Sequence, residues 1–425
     1  MHAEPPYSTI RERLREVIEL HFDPRDGAPF WLERAKQWGF DPRETVRTID
    51  DLPRLGWIEP RTLHDRPVED FLPRPVRAER SSLVLAQTGG TMGRPVWTAY
   101  TREEFEAAFV EPFIVAAKHV GFPGGGCWLY VGPSGPHIIA RAAEALARRW
   151  GAWPPFCVDF DARWVKKLPA GSFAARRYLH HLVEQAMSIV ERESINVVFT
   201  TPPVLRALAD AMRPPQRERI RGVHYGGLRL DPAELARFQE EDFPQAVHVA
   251  GYGNTLFGCC MELSPAPGRT PTYFPHGDRL IFGVCVDERA NEGGEVGTSS
   301  DVAEQCFPHR MQSDSGDIAR AEARGSEKKK RTRASRKGAV AGGGRAAGTS
   351  REEVVSFRYE HPGDRGRLVF SRLDRTVLLL NVRERDEVTL ASPPTDAPDG
   401  FHRCGVIDPH PTPEAGPPPG TSVYY

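Results

Sequence analysis

Apolar positions along the chain change period twice, and those changes mark out its organisation. Residues 8–21 place Ile10, Leu14, Val17, Ile18 and His21 at helical spacing, which predicts an amphipathic helix capped by Ser8. A second helical piece surrounds Phe30-Trp31-Leu32, and short helices and turns punctuated by Pro and Asp follow. From residue 83 to about 249 the pattern alternates. Strand-like runs at 83–86, 96–100, 127–131, 196–200, 223–225 and 246–250 are separated by helical stretches at 138–150, 173–189 and 204–212, with another from Pro232. Thr101-Arg102-Glu103-Glu104 reads as a capping box opening a helix to about Lys118. Strands alternating with helices predict an α/β core of parallel strands, with a ligand site at their C-terminal ends.

After Gly277 the pattern becomes β-rich, with strand character in D-R-L-I-F-G-V-C-V and again at 367–370 and 377–380. Between about 312 and 351 no apolar periodicity survives. That stretch includes E-K-K-K-R-T-R-A-S-R-K and reads as a disordered insertion whose removal would leave the melting temperature nearly unchanged. A nucleic-acid tail or localisation signal is the sharper alternative, although no aromatics interleave the charges. The last thirty residues are Pro/Gly-rich without a helix. The expected division is therefore a core at 1–316, a basic insertion at 317–351, a β-rich continuation at 352–390 and a tail at 391–425.

Charge sharpens this picture. The 425-residue chain has a net charge of −1, but residues 320–351 carry 11 Lys/Arg against 2 Asp/Glu, which leaves the remainder at −10. A mildly acidic folded part argues against nucleic acid as its main partner. Hydrophobic content of 40% and charged content of 27% are those of a soluble globular protein, and no apolar run approaches the ~18 residues of a membrane span. The N-terminus lacks the basic-then-apolar order of a signal peptide. Seven cysteines, an odd number, fit reduced thiols in a cytoplasmic protein. A zinc site on Cys259, Cys260, His276 and Cys285 is an alternative to buried apolar thiols there.

The stretch with the most chemistry is L-V-L-A-Q-T-G-G-T-M-G-R-P-V-W-T-A-Y at 83–100. Gly89, Gly90 and Gly93 allow close backbone approach, Thr88 and Thr91 add hydroxyls, and Arg94 adds a fixed cation. This is the chemistry of a phosphate cradle, at a spacing different from G-x-x-x-x-G-K-[ST]. An ordinary glycine-rich hairpin is the bland alternative.

T-G-G-T-M-G-R-P resembles the phosphate loop T-S-G-T-T-G-x-P of the adenylate-forming (AMP-binding) superfamily, and its surroundings are most similar to the phenylacetate–CoA ligase branch. The resemblance implies an α/β large domain with parallel-rich sheets flanked by helices and a small β-rich subdomain. It further implies ATP/AMP as cofactor, an aryl or acyl carboxylic acid as substrate, and CoA as acceptor. H-Y-G-G-L-R-L resembles the turn that wraps adenine, which carries that role to Gly226 and Gly227. Gly251-Tyr252-Gly253-Asn254-Thr255-Leu256 resembles the Y-G-x-T-E turn. Tyr252, Gly253 and Thr255 match, but Leu256 stands where the magnesium-holding Glu belongs, and leucine offers no oxygen to Mg2+. Glu262, six residues on, gives no reason to replace it.

R-E-R-D resembles the family's R-T-x-D, making Asp386 the ribose-binding carboxylate between Arg383 and Arg385. His137 sits where the branch places a His near the acyl-phosphate; a structural hydrogen bond at a helix start is its alternative. His137 and Arg94 are thus the catalytic candidates. The resemblance spans most of 8–390 and then stops, so the family's C-terminal domain and its Lys are expected to be lacking, or supplied by a separate protein or a homodimer partner. A nucleotide- or acyl-binding module with impaired turnover is the rival reading, and a scaffold acting through the basic insertion is a third.

Overall fold

Among the described residues the strands, in chain order, are β1 Val84–Gln87, β2 Trp97–Tyr100, β3 Cys127–Gly132, β4 Phe156–Asp159, β5 Ile195–Thr200, β6 Gly222–Gly226 and β7 Val247–Asn254. They continue with β8 Gly258–Glu262, β9 Thr272–Phe274, β10 Leu280–Val286, β11 Ser356–Tyr359, β12 Arg365–Leu373, β13 Leu378–Ala391 and β14 Gly405–Pro411. In this computed structural model the described residues are 9–90, 94–165, 167–169, 171–286 and 356–412. The expected basic insertion at 317–351 and the loop residues Thr91 and Gly93 lie outside them. All described residues belong to one compact unit.

β4, β3, β5, β6 and β7 lie side by side with every neighbouring pair parallel. Continuous apolar runs such as C-W-L-Y-V suit strands buried on both faces, and helices at Ile138–Arg149, Phe173–Val190 and Pro202–Ala211 supply the cover. β8 reverses direction, and the sheet continues antiparallel through β9, β14, β13, β12 and β10 to β11. The β-rich part is thus the antiparallel half of one twelve-stranded sheet. β1 and β2 form a separate two-stranded ribbon.

Several local expectations change. The N-terminal helix is Ile10–His21, and its cap is Thr9 rather than Ser8: the Thr9 hydroxyl accepts from the Glu12 N–H at 3.3 Å. The Thr101/Glu104 capping box is present, but its helix passes through a π-type turn at Glu106–Val110 before continuing over Glu111–His119. Pro112, which has no N–H to give the preceding turn, accounts for the break. Gly251-Tyr252-Gly253, expected as a turn, is the end of β7 and pairs with β8, and the reversal comes at residues 255–257. Gly253 is required by that hairpin, since a Cβ there would lie 2.0 Å from the Gly258 carbonyl oxygen. The Pro/Gly-rich segment read as a tail contributes β14 to the sheet interior, between β13 and β9. Its prolines lie beyond Val406 and Ile407, the two residues paired with β9.

A buried ionic cluster ties the β1–β2 ribbon to the sheet. The Arg372 guanidinium lies 3.8 Å from the Tyr100 ring centroid and donates to the Thr98 hydroxyl, the Ala99 carbonyl and the Leu256 carbonyl. Arg372 and Arg279 both donate to Asp374, which is fully buried; Arg13 of the N-terminal helix adds a third ion pair. Three guanidinium groups hold the Asp374 carboxyl far below the usual carboxylate range against the opposing effect of burial. Among the described residues no helix is long and apolar enough to cross a membrane.

Candidate functional site

The C-terminal ends of β3, β5, β6 and β7 open into a cleft of about 480 Å³. Gly132 ends β3 and Pro133 follows it, Thr200 ends β5 and Thr201 follows it, Gly226 ends β6 and Gly227 follows it, and Gly251 to Asn254 end β7 with Thr255 and Leu256 after them; all line it. The first loop supplies Thr88, Gly89, Gly90 and Arg94, while β13 and β14 supply Glu384, Arg385, Asp386 and Asp408. Of the nucleotide and catalytic candidates carried over by the resemblance, Thr91 and Gly93 lie outside the described residues. Thr88, Gly89, Gly90, Arg94, His137, Gly226, Gly227, Tyr252, Gly253, Thr255 and Asp386 line this one cleft, whereas Arg383 and Glu262 do not.

The first loop is fastened at its neck. The Thr88 N–H donates to the Val96 carbonyl and the Val96 N–H to the Thr88 hydroxyl, both at 2.9 Å. Gly90 has φ +68°, a conformation in which glycine carries no Cβ penalty. Thr255 reaches the same loop: its hydroxyl is 3.4 Å from the Gln87 carbonyl, and its own carbonyl accepts from Tyr100 Oη at 2.7 Å. Arg94 is exposed at the rim. His137 is buried at the N-terminus of Ile138–Arg149.

On the adenine side predicted from sequence, Gly227 takes φ +84°. Gly226 is needed for a different reason: a Cβ there would lie 2.6 Å from the Gly251 carbonyl oxygen of β7. The half-buried Tyr252 ring packs near Phe257 and Tyr273, with centroids 5.8 and 5.7 Å away. Its hydroxyl donates to Asp386 Oδ2 at 2.9 Å. Asp386 Oδ1 is buried with no hydrogen-bond partner, the Arg385 Nε standing 3.5 Å off. A carboxylate oxygen left without a donor on a cleft wall fits a ligand hydroxyl. Arg383, expected beside Asp386, instead pairs with Glu59 and stacks 4.6 Å over Trp57.

Three features of the cleft escape sequence reading. Glu384 shares the cleft-facing side of β13 with Asp386 and accepts from Asn254 Nδ2 at 2.8 Å. Burial, and then Asp386, push its carboxyl up to about 7. The period-2 alternation of R-E-R-D was the available signal. Arg229 forms a two-bond pair with Asp408 of β14, at 2.8 and 2.7 Å, closing the cleft across 179 residues of sequence. The inner wall is aromatic, from Phe109, Tyr130, Phe199 and His224.

The residues do not reproduce a magnesium site of the expected kind. Leu256 is buried at the position in question, Glu262 is buried on β8 and does not line the cleft, and Glu384 is engaged by Asn254. Among the described residues no three His, Cys, Asp or Glu side chains gather as metal ligands, the Cys259/Cys260 region included. Burial pushes the Cys259 thiol up to about 12, the behaviour of a packed thiol.

No protein-family model matches this sequence, and no curated protein does. Solved structures do. An open conformation of 2-hydroxyisobutyryl-CoA ligase in complex with 2-HIB-AMP and CoA superposes with a TM-score of 0.53 at 13% identity, covering 96% of this chain and 78% of that one. The same ligase in its thioesterification state gives 0.54 at 15%, covering 96% and 71%. At these identities the likeness is one of fold: the chain has the α/β fold of adenylate-forming enzymes.

Proposed function

We propose that the cleft binds ATP or AMP together with a small aryl or acyl carboxylate and activates the acid as its acyl-adenylate, in the manner of phenylacetate–CoA ligase-like proteins. CoA is the proposed thiol acceptor. The observation that carries this reading is convergence: three loops far apart in sequence, with Asp386 hydrogen-bonded to Tyr252 of the third, line one cleft at the ends of parallel strands. In the proposed reaction a carboxylate oxygen attacks the α-phosphorus and the bond to pyrophosphate breaks. Loop amides, Thr88 and Arg94 would hold phosphate charge, and Tyr252 with Gly226 and Gly227 would hold the base. Asp386 would accept from ribose hydroxyls through Oδ1, which has no hydrogen-bond partner within the described residues. His137 would meet the acyl-phosphate. Catalysis of this kind rests on positioning and charge stabilisation.

Leu256 favours a second reading, in which binding persists and turnover is slow. A buried alkyl group in place of a metal-holding carboxylate removes one source of charge neutralisation, and such losses commonly cost orders of magnitude in rate. Among the described residues no lysine lines the cleft either. Pyrophosphate exchange across a panel of aryl and acyl acids, run beside calorimetric ATP binding, separates the two. Exchange with one acid class supports the enzyme, binding without exchange supports the module, and no binding at millimolar ATP overturns both.

A further inference from the structure

The inner end of the cleft holds a polar group that the proposed activation chemistry does not use. Phe199 of β5, His224 of β6 and Val249 of β7 are register partners and so present side chains to the same face of the sheet. The His224 ring is 3% exposed and lines the cleft, with centroids 4.3 Å from Phe199 and 4.8 Å from Phe113. Its Nδ1 lies 2.9 Å from the Val249 carbonyl oxygen. A carbonyl only accepts, so Nδ1 carries the proton, and in the neutral ring Nε2 is left with a lone pair. Burial pushes the imidazole down to about 4, so the ring is neutral at physiological pH. Among the described residues nothing donates to Nε2.

Two other polar groups of the region are already committed. The Tyr130 hydroxyl donates to the Pro133 carbonyl at 2.9 Å, and the Cys259 thiol sits against Met261 Sδ at 3.5 Å. Phe109, Ile138 and Phe199 add apolar wall, and Thr200 and Thr201 also line the cleft.

We propose that His224 is a specificity-determining residue whose Nε2 accepts a hydrogen bond from a hydroxyl on the bound acid, so that hydroxylated aryl acids are preferred over their unsubstituted counterparts. This rests on the reading of the cleft as a carboxylate site. Flat aromatic walls suit an aryl ring, and an acceptor on the cleft wall loses its water when an acid seats against it, a cost that only a donor-bearing ligand offsets. Sites built to hydrogen-bond a substrate hydroxyl discriminate strongly against analogues that lack it.

The test is calorimetric titration of the full chain, with AMP present, using benzoate, the three monohydroxybenzoates and their methyl ethers. One hydroxybenzoate should bind at least about tenfold tighter than benzoate and than its own methyl ether. His224→Phe should abolish that ratio, and His224→Gln, which keeps an acceptor, should retain part of it. In the wild-type chain, the Nε2 15N resonance of His224 should move upfield with the preferred hydroxy acid and not with its ether. This readout serves even where a variant fails to fold. Acid binding without hydroxyl preference, or a preference that survives in His224→Phe, overturns the role of His224 and leaves the carboxylate site standing. AMP binding with no acid bound overturns the carboxylate site and the inference together.

Discussion

The Tyr252 hydroxyl donates to Asp386 Oδ2 across 2.9 Å, joining the last parallel strand to the antiparallel half of the sheet. One carboxylate oxygen is thereby fixed in direction, while Oδ1 is buried without a hydrogen-bond partner on a residue that lines the cleft. The pair turns two separate sequence matches into one pre-set unit.

Asp386→Ala is therefore expected to weaken AMP and ATP binding by about 1.5–3 kcal/mol, the range for hydrogen bonds to a charged group. Tyr252→Phe, which keeps the ring and removes only the orienting bond, should cost about 1 kcal/mol. Calorimetry on both variants checks the order; equal affinities for Asp386→Ala and wild type would remove the ribose assignment.

Leu256→Glu should make ATP binding more dependent on magnesium by severalfold, because it restores an oxygen ligand beside Asn254. The expected readout is the ratio of ATP affinities with and without Mg2+. Leu256 is buried, so a melting curve accompanies the titration, and a folded variant with an unchanged ratio counts against the assignment.

The Asp374 cluster should dominate stability. Asp374→Ala leaves Arg279 and Arg372 buried without their shared partner and should cost about 3–5 kcal/mol in urea unfolding. Arg13→Ala, removing the partly exposed third member, should cost about 1 kcal/mol. Near-equal losses would mean that the N-terminal helix, and not the ribbon, is what the cluster secures.

Acid should destabilise the fold gently before it does so steeply. Burial pushes His21 down to about 3 and His224 and His248 to about 4, so below the ordinary 6.5 the unfolded chain takes up three protons that the native one refuses. Glu262 and Glu384 act oppositely: pushed up to about 7 by burial, they take up protons in the native state down to the ordinary 4.5. His276, also lowered by burial, and Glu104, also raised by it, act in opposite directions, so three against two leaves a net loss of roughly 1.4 kcal/mol per pH unit between about pH 6 and 5. Glu262→Gln with Glu384→Gln should steepen that slope about threefold in denaturant titrations at the two pH values.

Much of the cleft's frame was legible because it is written locally. The Thr101/Glu104 box, the strand at Cys127–Gly132 and the helix at Ile138–Arg149 each depend on residues within a turn or two, and their patterns agree with the tertiary outcome. The glycines were legible as positions but not as reasons: Gly226 and Gly253 make room for a neighbouring strand's carbonyl, which only register reveals. Glu384, His224 and the Arg229–Asp408 pair were not legible because their meaning lies in partners 25 to 179 residues away. β14 escaped because Pro and Gly mask a strand whose ladder needs only Val406 and Ile407 on its β9 side.

The interior position of β14 has a consequence for how the chain is made. The strand that bridges β9 and β13 is drawn from residues 405–411, so during synthesis the parallel strands emerge and can pair long before the antiparallel half has its linking member. Arg13 likewise waits for Asp374, 361 residues later. Ribosome-bound chains halted before residue 405 should therefore hold an ordered parallel half with two unsatisfied sheet edges, at β9 and β13. Those edges make such intermediates the aggregation-prone species, and the stage at which a chaperone has most to shield.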